Sequence, residues 1–242
     1  MKLSPRLKAI ADWIEPKSTV GDVGSDHGYL MTYLLENKII ESGIASDINE
    51  GPVLNCKNTI ASYGFESQID IRLGGGLVPY KINEVDTVVI AGMGGELIRD
   101  ILLQSDDVAR SVKSFFLQPM TGQDVLRKWL IDHEYTILKE KVVWEDSRCY
   151  ELLHVISGQM DLESHSDVEV ILLKENLYEE IGFKMIYDEA YALYLDRKIS
   201  KYKNIMNSIT KNSDTSQPKY EEAKLKMTLL NEVKACIQTL IK

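Results

Sequence analysis

Asp22, Gly24, Ser25, Asp26, His27 and Gly28 crowd into one short stretch, Val20-Gly21-Asp22-Val23-Gly24-Ser25-Asp26-His27-Gly28-Tyr29-Leu30. Two carboxylates, a hydroxyl, an imidazole and flexible glycines in such proximity could hold a small, positively charged ligand. The stretch reads as a buried strand, a tight glycine turn and the first turn of a helix. That arrangement leaves backbone N–H groups and the positive helix end facing one small cavity. In α/β folds this first strand-to-helix turn is where nucleotide-like cofactors settle.

Spacing selects the cofactor class. A dinucleotide turn carries G-x-G-x-x-G, whereas here Gly24 and Gly28 flank Asp26 and His27. A pyrophosphate would meet a carboxylate, which argues against NAD and for a cofactor without phosphates. S-adenosylmethionine fits, because its ammonium and sulfonium make Asp22 and Asp26 favourable neighbours. A plain turn with two solvated aspartates is the bland alternative, since short glycine patterns recur by accident.

Such residues need a scaffold. Gly43-Ile44-Ala45-Ser46-Asp47-Ile48 reads as a second strand ending in an acid. About 20 residues past a glycine turn, an acid suits two vicinal ribose hydroxyls. Asp47 as the cap of the next helix is the other reading. Ile69–Leu73 alternates as a third strand and runs into Gly74-Gly75-Gly76, where backbone can approach a flat ring. Thr87–Ala91 is a continuous apolar run, as expected of a central parallel strand, and ends in Gly92-Met93-Gly94-Gly95. Two glycine turns at neighbouring strand ends outline one pocket. Ser114–Pro119 is a fifth strand. A helix through Val125, Leu126, Trp129 and Leu130 follows, and then two strands, 135–144 and 149–156, around a short polar turn. Such a terminal hairpin makes the last strand antiparallel, a feature common in Rossmann-like methyltransferases and unusual in dehydrogenases.

Upstream, Leu3, Leu7, Ile10 and Ile14 recur at helical spacing and Pro16 ends the run, with Arg6 on another face and close in sequence to the glycine turn. Downstream, the polar stretch 158–166 is a natural boundary. Beyond it, Ala192, Leu195, Ile199, Tyr202, Met206 and Ile209 keep a 3-4 spacing. So do Tyr220, Ala223, Met227, Leu230, Val233, Ile237 and Leu240, after a breaker at 212–218. An antiparallel helical hairpin of coiled-coil type is expected. Arg197, Lys198, Lys201, Lys203 and Lys211 form an acid-free basic run, either a solvated face or a phosphate-contacting surface.

Length and composition set the bounds. The 242 residues allow one full domain and a smaller one. No apolar run is long enough to span a bilayer and the N-terminal segment has no signal-peptide core, so a cytoplasmic location is expected. Cys56, Cys149 and Cys236 are scattered and imply reduced thiols. His27, His133, His154 and His165 lack ligand spacing, so no metal is expected. A net charge of −9 counts mildly against nucleic acid, although local patches decide.

Taken together, Leu3-Ser4-x-Arg6-Leu7, Asp22–Leu30, Ser46-Asp47-Ile48-Asn49-Glu50-Gly51-Pro52, Ala91-Gly92-Met93-Gly94-Gly95, Leu117-Gln118-Pro119 and Cys149-Tyr150-Glu151 resemble the bacterial tRNA adenine-22 N1-methyltransferase family, TrmK. The likeness is dense over the first 157 residues and architectural over the tail. It implies an α/β fold, with a Rossmann-like class I methyltransferase sheet whose last strand is antiparallel. This would span residues 1–157, with a C-terminal α-helical coiled-coil hairpin, 158–242, that helps hold tRNA. By position, Asp22, Gly24, Ser25, His27 and Gly28 would hold the methionine part of S-adenosylmethionine. Asp47 would hold the ribose with Ile48 and Asn49 beside it, Gly75 and Gly76 would border the adenine, and Gly92, Met93 and Gly94 would form the floor near the sulfonium. Asp26 matches the aspartate proposed as catalytic. Arg6, Tyr29, Gln118, Arg197, Lys198, Lys201 and Lys203 are the expected RNA contacts, in a monomer without membrane or metal. Two departures stand out: Gly75 replaces an aspartate usual after the third strand, and Met120 an asparagine common after Gln-Pro. Two rival readings are a methyltransferase for a small molecule or protein, and a non-enzymatic RNA-binding protein.

Overall fold

The computed structural model describes residues 1–158, 167–210 and 218–240. These divide into two compact units, Met1–Lys139 with Val143–Met160, and Glu140–Val142 with Asp161–Lys242. The polar boundary stretch from 159 onward, the breaker up to 217, Lys211 and His165 lie outside the described residues.

In the first unit, α1 (Pro5–Ala11) precedes β1 (Val20–Val23), α2 (Tyr29–Glu36), β2 (Gly43–Asp47), α3 (Glu50–Ser62), β3 (Ile69–Leu73) and β4 (Thr87–Met93). After these come α4 (Gly95–Gln104), α5 (Asp106–Ser111), β5 (Ser114–Pro119), α6 (Gln123–Asp132), β6 (Tyr135–Glu145) and β7 (Arg148–Ser157). The seven strands lie in the order β3-β2-β1-β4-β5-β7-β6. β1 to β5 run parallel, and β7 pairs antiparallel to β5 through Phe115↔Val155 and Leu117↔Leu153. The expected antiparallel last strand is therefore present, inserted between β5 and β6.

Central β1 is buried along its whole length, as is β4 from Thr87 to Ile90. Helices on both faces make two cores. One joins Val88, Ile90, Ile98, Leu102, Phe115, Leu117, Leu126 and Leu130. The other joins Ile10, Met31, Leu34, Cys56, Ile60, Val89 and Phe116. The apolar patterning holds with local exceptions: Leu54 and Val125 face solvent on their helices. Because the parallel strands end at one edge, the turns after β1, β2, β3 and β4 gather there. The buried ion pair of Arg127 and Glu151 (Nη2 to Oε2, 2.5 Å) ties α6 to β7.

The second unit contains α7 (Asp167–Leu173), a short 3₁₀ turn, α8 (Leu177–Ile181), α9 (Glu189–Thr210) and α10 (Pro218–Leu240). Leu195, Ala223, Leu230, Val233 and Ile237 are buried, while Ile199, Tyr202, Met206 and Ile209 are half-buried and Leu240 is exposed. Lys234, late in α10, meets Asp196, early in α9, so the two long helices run antiparallel. The Glu140 carboxylate accepts from the Phe183 and Lys184 backbone N–H groups (2.7 and 3.1 Å).

Candidate functional site

The turn after β1 is built from two unlike halves. Gly24 and Gly28 adopt left-handed φ of 76° and 65°, which only glycine takes without strain. The Gly24 and Ser25 N–H groups both donate to Ser46 O of β2 (2.8 and 2.9 Å), which fixes the turn to its neighbour strand. Asp22 is buried, and burial pushes its carboxyl up to about 6, the Ser25 hydroxyl opposing and the Asp47 charge adding to the shift. The Ser25 Oγ is itself buried without a well-formed hydrogen bond. Cys56 lies behind the turn, its Sγ 2.8 Å from where a Gly28 Cβ would stand, and burial pushes the thiol up to about 11. Asp26 and His27, by contrast, are exposed to solvent. The His27 Nε2 is 3.3 Å from the Asp26 carboxylate, and the imidazole stacks on Tyr29, which opens α2 (ring centres 5.0 Å apart).

The ends of β2 and β3 adjoin this turn. The Asp47 carboxylate accepts from Asn49 N (2.9 Å), and its backbone oxygen accepts from Gly74 N (2.9 Å). Asp47 thus shapes its own loop, and Asn49, extended, caps α3. Ile48 is 70% exposed, yet its Cδ1 lies 3.1 Å from where a Gly75 Cβ would stand. Gly74 and Gly76 serve packing directly: added Cβ atoms would meet Pro79 and Ile101 at 3.0 Å.

The turn after β4 completes the edge. A Gly24 Cβ would stand 2.4 Å from Met93 Cε, so the two glycine turns touch. Gly94 caps α4. Arg6 on α1 reaches the same place: its Nη1 donates to Gln118 Oε1 (2.9 Å) and its guanidinium stands over the Tyr150 ring (5.6 Å). The structure corrects one expectation. Gln118 is fully buried and both ends of its amide are engaged within the protein, so it has no atom left for RNA.

In the second unit, Arg197, Lys198, Lys201 and Lys203 share α9. Lys198 lies 3.6 Å and Lys201 3.9 Å from the Glu180 carboxylate, whose other oxygen accepts from Tyr202 OH (2.6 Å). The run is therefore partly neutralised within its own unit. Among the described residues, no group of three or more His, Cys, Asp or Glu could hold a metal, and no helix is long and apolar enough to cross a membrane.

Sequence reasoning missed Tyr80, whose hydroxyl lies 3.0 Å from Ser46 Oγ and whose ring fills the space beside Gly21. It also gave no role to Tyr150, although Cys149-Tyr150-Glu151 marked the place. An isolated tyrosine 58 residues from Asp22 carries no sequence signal of its own.

Residues 3–153 match the family model described as a methyltransferase domain. A Bacillus subtilis tRNA (adenine(22)-N(1))-methyltransferase is 33% identical over 238 residues, 96% of this chain and 97% of that protein. The chain belongs to this family. A Streptococcus pneumoniae putative tRNA (m1A22) methyltransferase, solved with S-adenosyl-L-methionine, is 29% identical with a TM-score of 0.77 over 96% of this chain and 100% of that one. Mycoplasma capricolum TrmK, solved with S-adenosyl-homocysteine, is 26% identical with a TM-score of 0.79 over 98% and 100%. Membership in this methyltransferase family accounts for the strand order and for the glycine turns gathered at one sheet edge.

Proposed function

We propose that this chain transfers a methyl group from S-adenosylmethionine to N1 of adenine 22 in tRNA. Family membership over 96% of the chain carries the reaction, and the two-sided β1 turn supports the assignment of roles. The residues present fit the cofactor. A buried carboxylate at Asp22 and the buried Ser25 Oγ, which makes no well-formed hydrogen bond, suit the ammonium and carboxylate of an amino acid. Asp47 suits vicinal ribose hydroxyls, and exposed Ile48 beside side-chain-free Gly75 suits the face of a purine, in place of the acid this chain lacks there. Gly28, Asn49, Gly76, Gly92, Met93 and Gly94 shape the walls.

The bound cofactor supplies an electrophilic methyl on a sulfonium. Adenine N1 offers an in-plane lone pair, so no residue need remove a proton first, and the task of the chain is to position the base, which can contribute roughly 7–11 kcal/mol. Asp26 accepts from the N6 amino group and stabilises the cationic adenine that forms. His27, stacked on Tyr29, borders the methionine end of the cofactor, and Tyr29 offers a ring face to a base that has left its stack, a step that costs a few kcal/mol. Arg6, Arg197, Lys198, Lys201 and Lys203 contact the RNA backbone, those on α9 as part of a coiled-coil tRNA-holding domain, 158–242, distinct from a catalytic domain, 1–157. The enzyme works as a cytoplasmic monomer, which sedimentation of the purified chain tests.

Incubation with labelled S-adenosylmethionine and unmodified tRNA, followed by nucleoside analysis, tests the reading. Label in 1-methyladenosine, abolished when position 22 is changed to uridine, is the expected result. Label absent from RNA, in a protein that binds the cofactor, overturns it in favour of a small-molecule or protein substrate.

A further inference from the structure

The strand pairing of β4 with β5 is interrupted at one place. Ala91 pairs with Gln118 and Met93 with Pro119, so Gly92 is an extra residue bulged out of the ladder, with φ of +82°. A bulge leaves its own N–H without a ladder partner. Here that N–H donates to the side chain of Gln118, whose Oε1 lies 3.1 Å away. The same oxygen accepts from Arg6 Nη1 at 2.9 Å, a charge-assisted bond that holds the carboxamide in place beside Gly92. The Gln118 Nε2 donates to Pro119 O (3.1 Å) and lies 3.5 Å from Met120 Sδ, which fixes which way the amide faces. Further ties join the same turns: Met120 N donates to Met93 O (2.8 Å) and Gly95 N to Thr121 O (2.7 Å).

We propose that Gln118, held in place by Arg6, is a positioning residue for methyl transfer: it pins the Gly92 bulge and thereby sets Met93 against Gly24, where the two glycine turns meet. The inference rests on the methyltransferase reading for its effect on turnover, but its geometric core stands without it. Gln118 is fully buried, with its amide engaged within the protein. It acts through the backbone of Gly92, and a buried, fully engaged amide at the end of β5 has no other evident use. Arg6, half-buried over Tyr150, then serves the site from behind as well as from its exposed side.

Three variants separate positioning from bulk packing. Gln118→Met keeps the volume and removes the acceptor. Gln118→Glu keeps the acceptor for Gly92 and pairs with Arg6. Arg6→Ala removes the charge but leaves the amide. Turnover of tRNA is expected to fall roughly 100-fold in Gln118→Met and about tenfold in Arg6→Ala, with Gln118→Glu rescuing most of the Gln118→Met loss, because small displacements of reacting groups cost that much. In parallel, hydrogen exchange of the Gly92 amide, read by NMR in the cofactor-free protein, is expected to quicken at least about tenfold in Gln118→Met and to remain slow in Gln118→Glu. Unchanged Gly92 exchange, or equal turnover in Gln118→Met and Gln118→Glu, overturns the proposal. Inactive wild-type protein with the expected exchange pattern instead faults the methyltransferase reading and leaves the pin standing. Should Gln118→Met not fold, Arg6→Ala decides: Gly92 exchange is expected to quicken as the carboxamide loses its hold, and unchanged exchange overturns the proposal.

Discussion

Asp22 and Asp26 stand on one turn, four residues apart, in opposite surroundings. Asp22 is closed in, its carboxyl raised to about 6 by burial, beside the buried Ser25 hydroxyl, which makes no well-formed hydrogen bond. Asp26 is mostly exposed, its carboxylate 3.3 Å from the Nε2 of His27. Unsatisfied polarity inside a protein is expensive and persists where a ligand completes it, whereas an exposed carboxylate waits at no cost for something brought from outside. In the function proposed above, the inner half of the turn takes the small cofactor and the outer half the large substrate. Loss at the outer half should strike turnover, and loss at the inner half should strike cofactor affinity.

The sharpest way to break that division is Asp26→Ala. With N6 no longer held, kcat on tRNA is expected to fall roughly 100- to 1000-fold while calorimetry finds cofactor affinity almost unchanged. Equal losses in both would move Asp26 to the inner half. Gly24→Ala probes the opposite side. A Cβ there would stand 2.4 Å from Met93 Cε on a backbone at φ +76°, and left-handed geometry alone costs a side chain roughly 1–2 kcal/mol. Cofactor affinity should weaken about tenfold or more, and saturating cofactor should restore much of kcat. A variant that binds normally would show that the two glycine turns have room to spare.

How far the sequence foretold this depended on the range of the interactions involved. The glycine turn, the acid ending the second strand, the succession of strands and the antiparallel last strand followed from local chemistry and apolar runs, because the residues responsible are neighbours in the chain. Gln118 was misjudged for the reason that makes it interesting. A glutamine before a proline at a strand end looks available, and only the β4 bulge, opposite it in space, shows why its amide is consumed. The lysines of α9 are a similar case, since Glu180, which partly neutralises Lys198 and Lys201, comes from a different helix. Ile48 was legible as the residue after the acid, but its place beside Gly75 needed β3 to be laid against β2.

The smallest effect, and the one that tests the inner half most directly, is a pH dependence. Between about 3.8, the ordinary carboxyl value, and about 6, folded Asp22 holds a proton that the unfolded chain has released. The folded state binds more protons in that window, so stability falls as pH rises through it. Above about 6 the buried charge costs on the order of 3 kcal/mol, and below about 3.8 it costs nothing. Relative to wild type, cofactor-free Asp22→Asn should therefore gain stability between pH ~4 and pH ~7, measured by denaturant unfolding at each pH. A cationic ligand reverses the preference, because it needs the carboxylate ionised. Wild-type affinity for S-adenosylmethionine should drop about tenfold per pH unit below about 6, with proton release on binding in that range, while Asp22→Asn binds more weakly but without that slope. A flat wild-type profile would mean that the ammonium lies elsewhere and that Asp22 is buried for the sake of the fold alone.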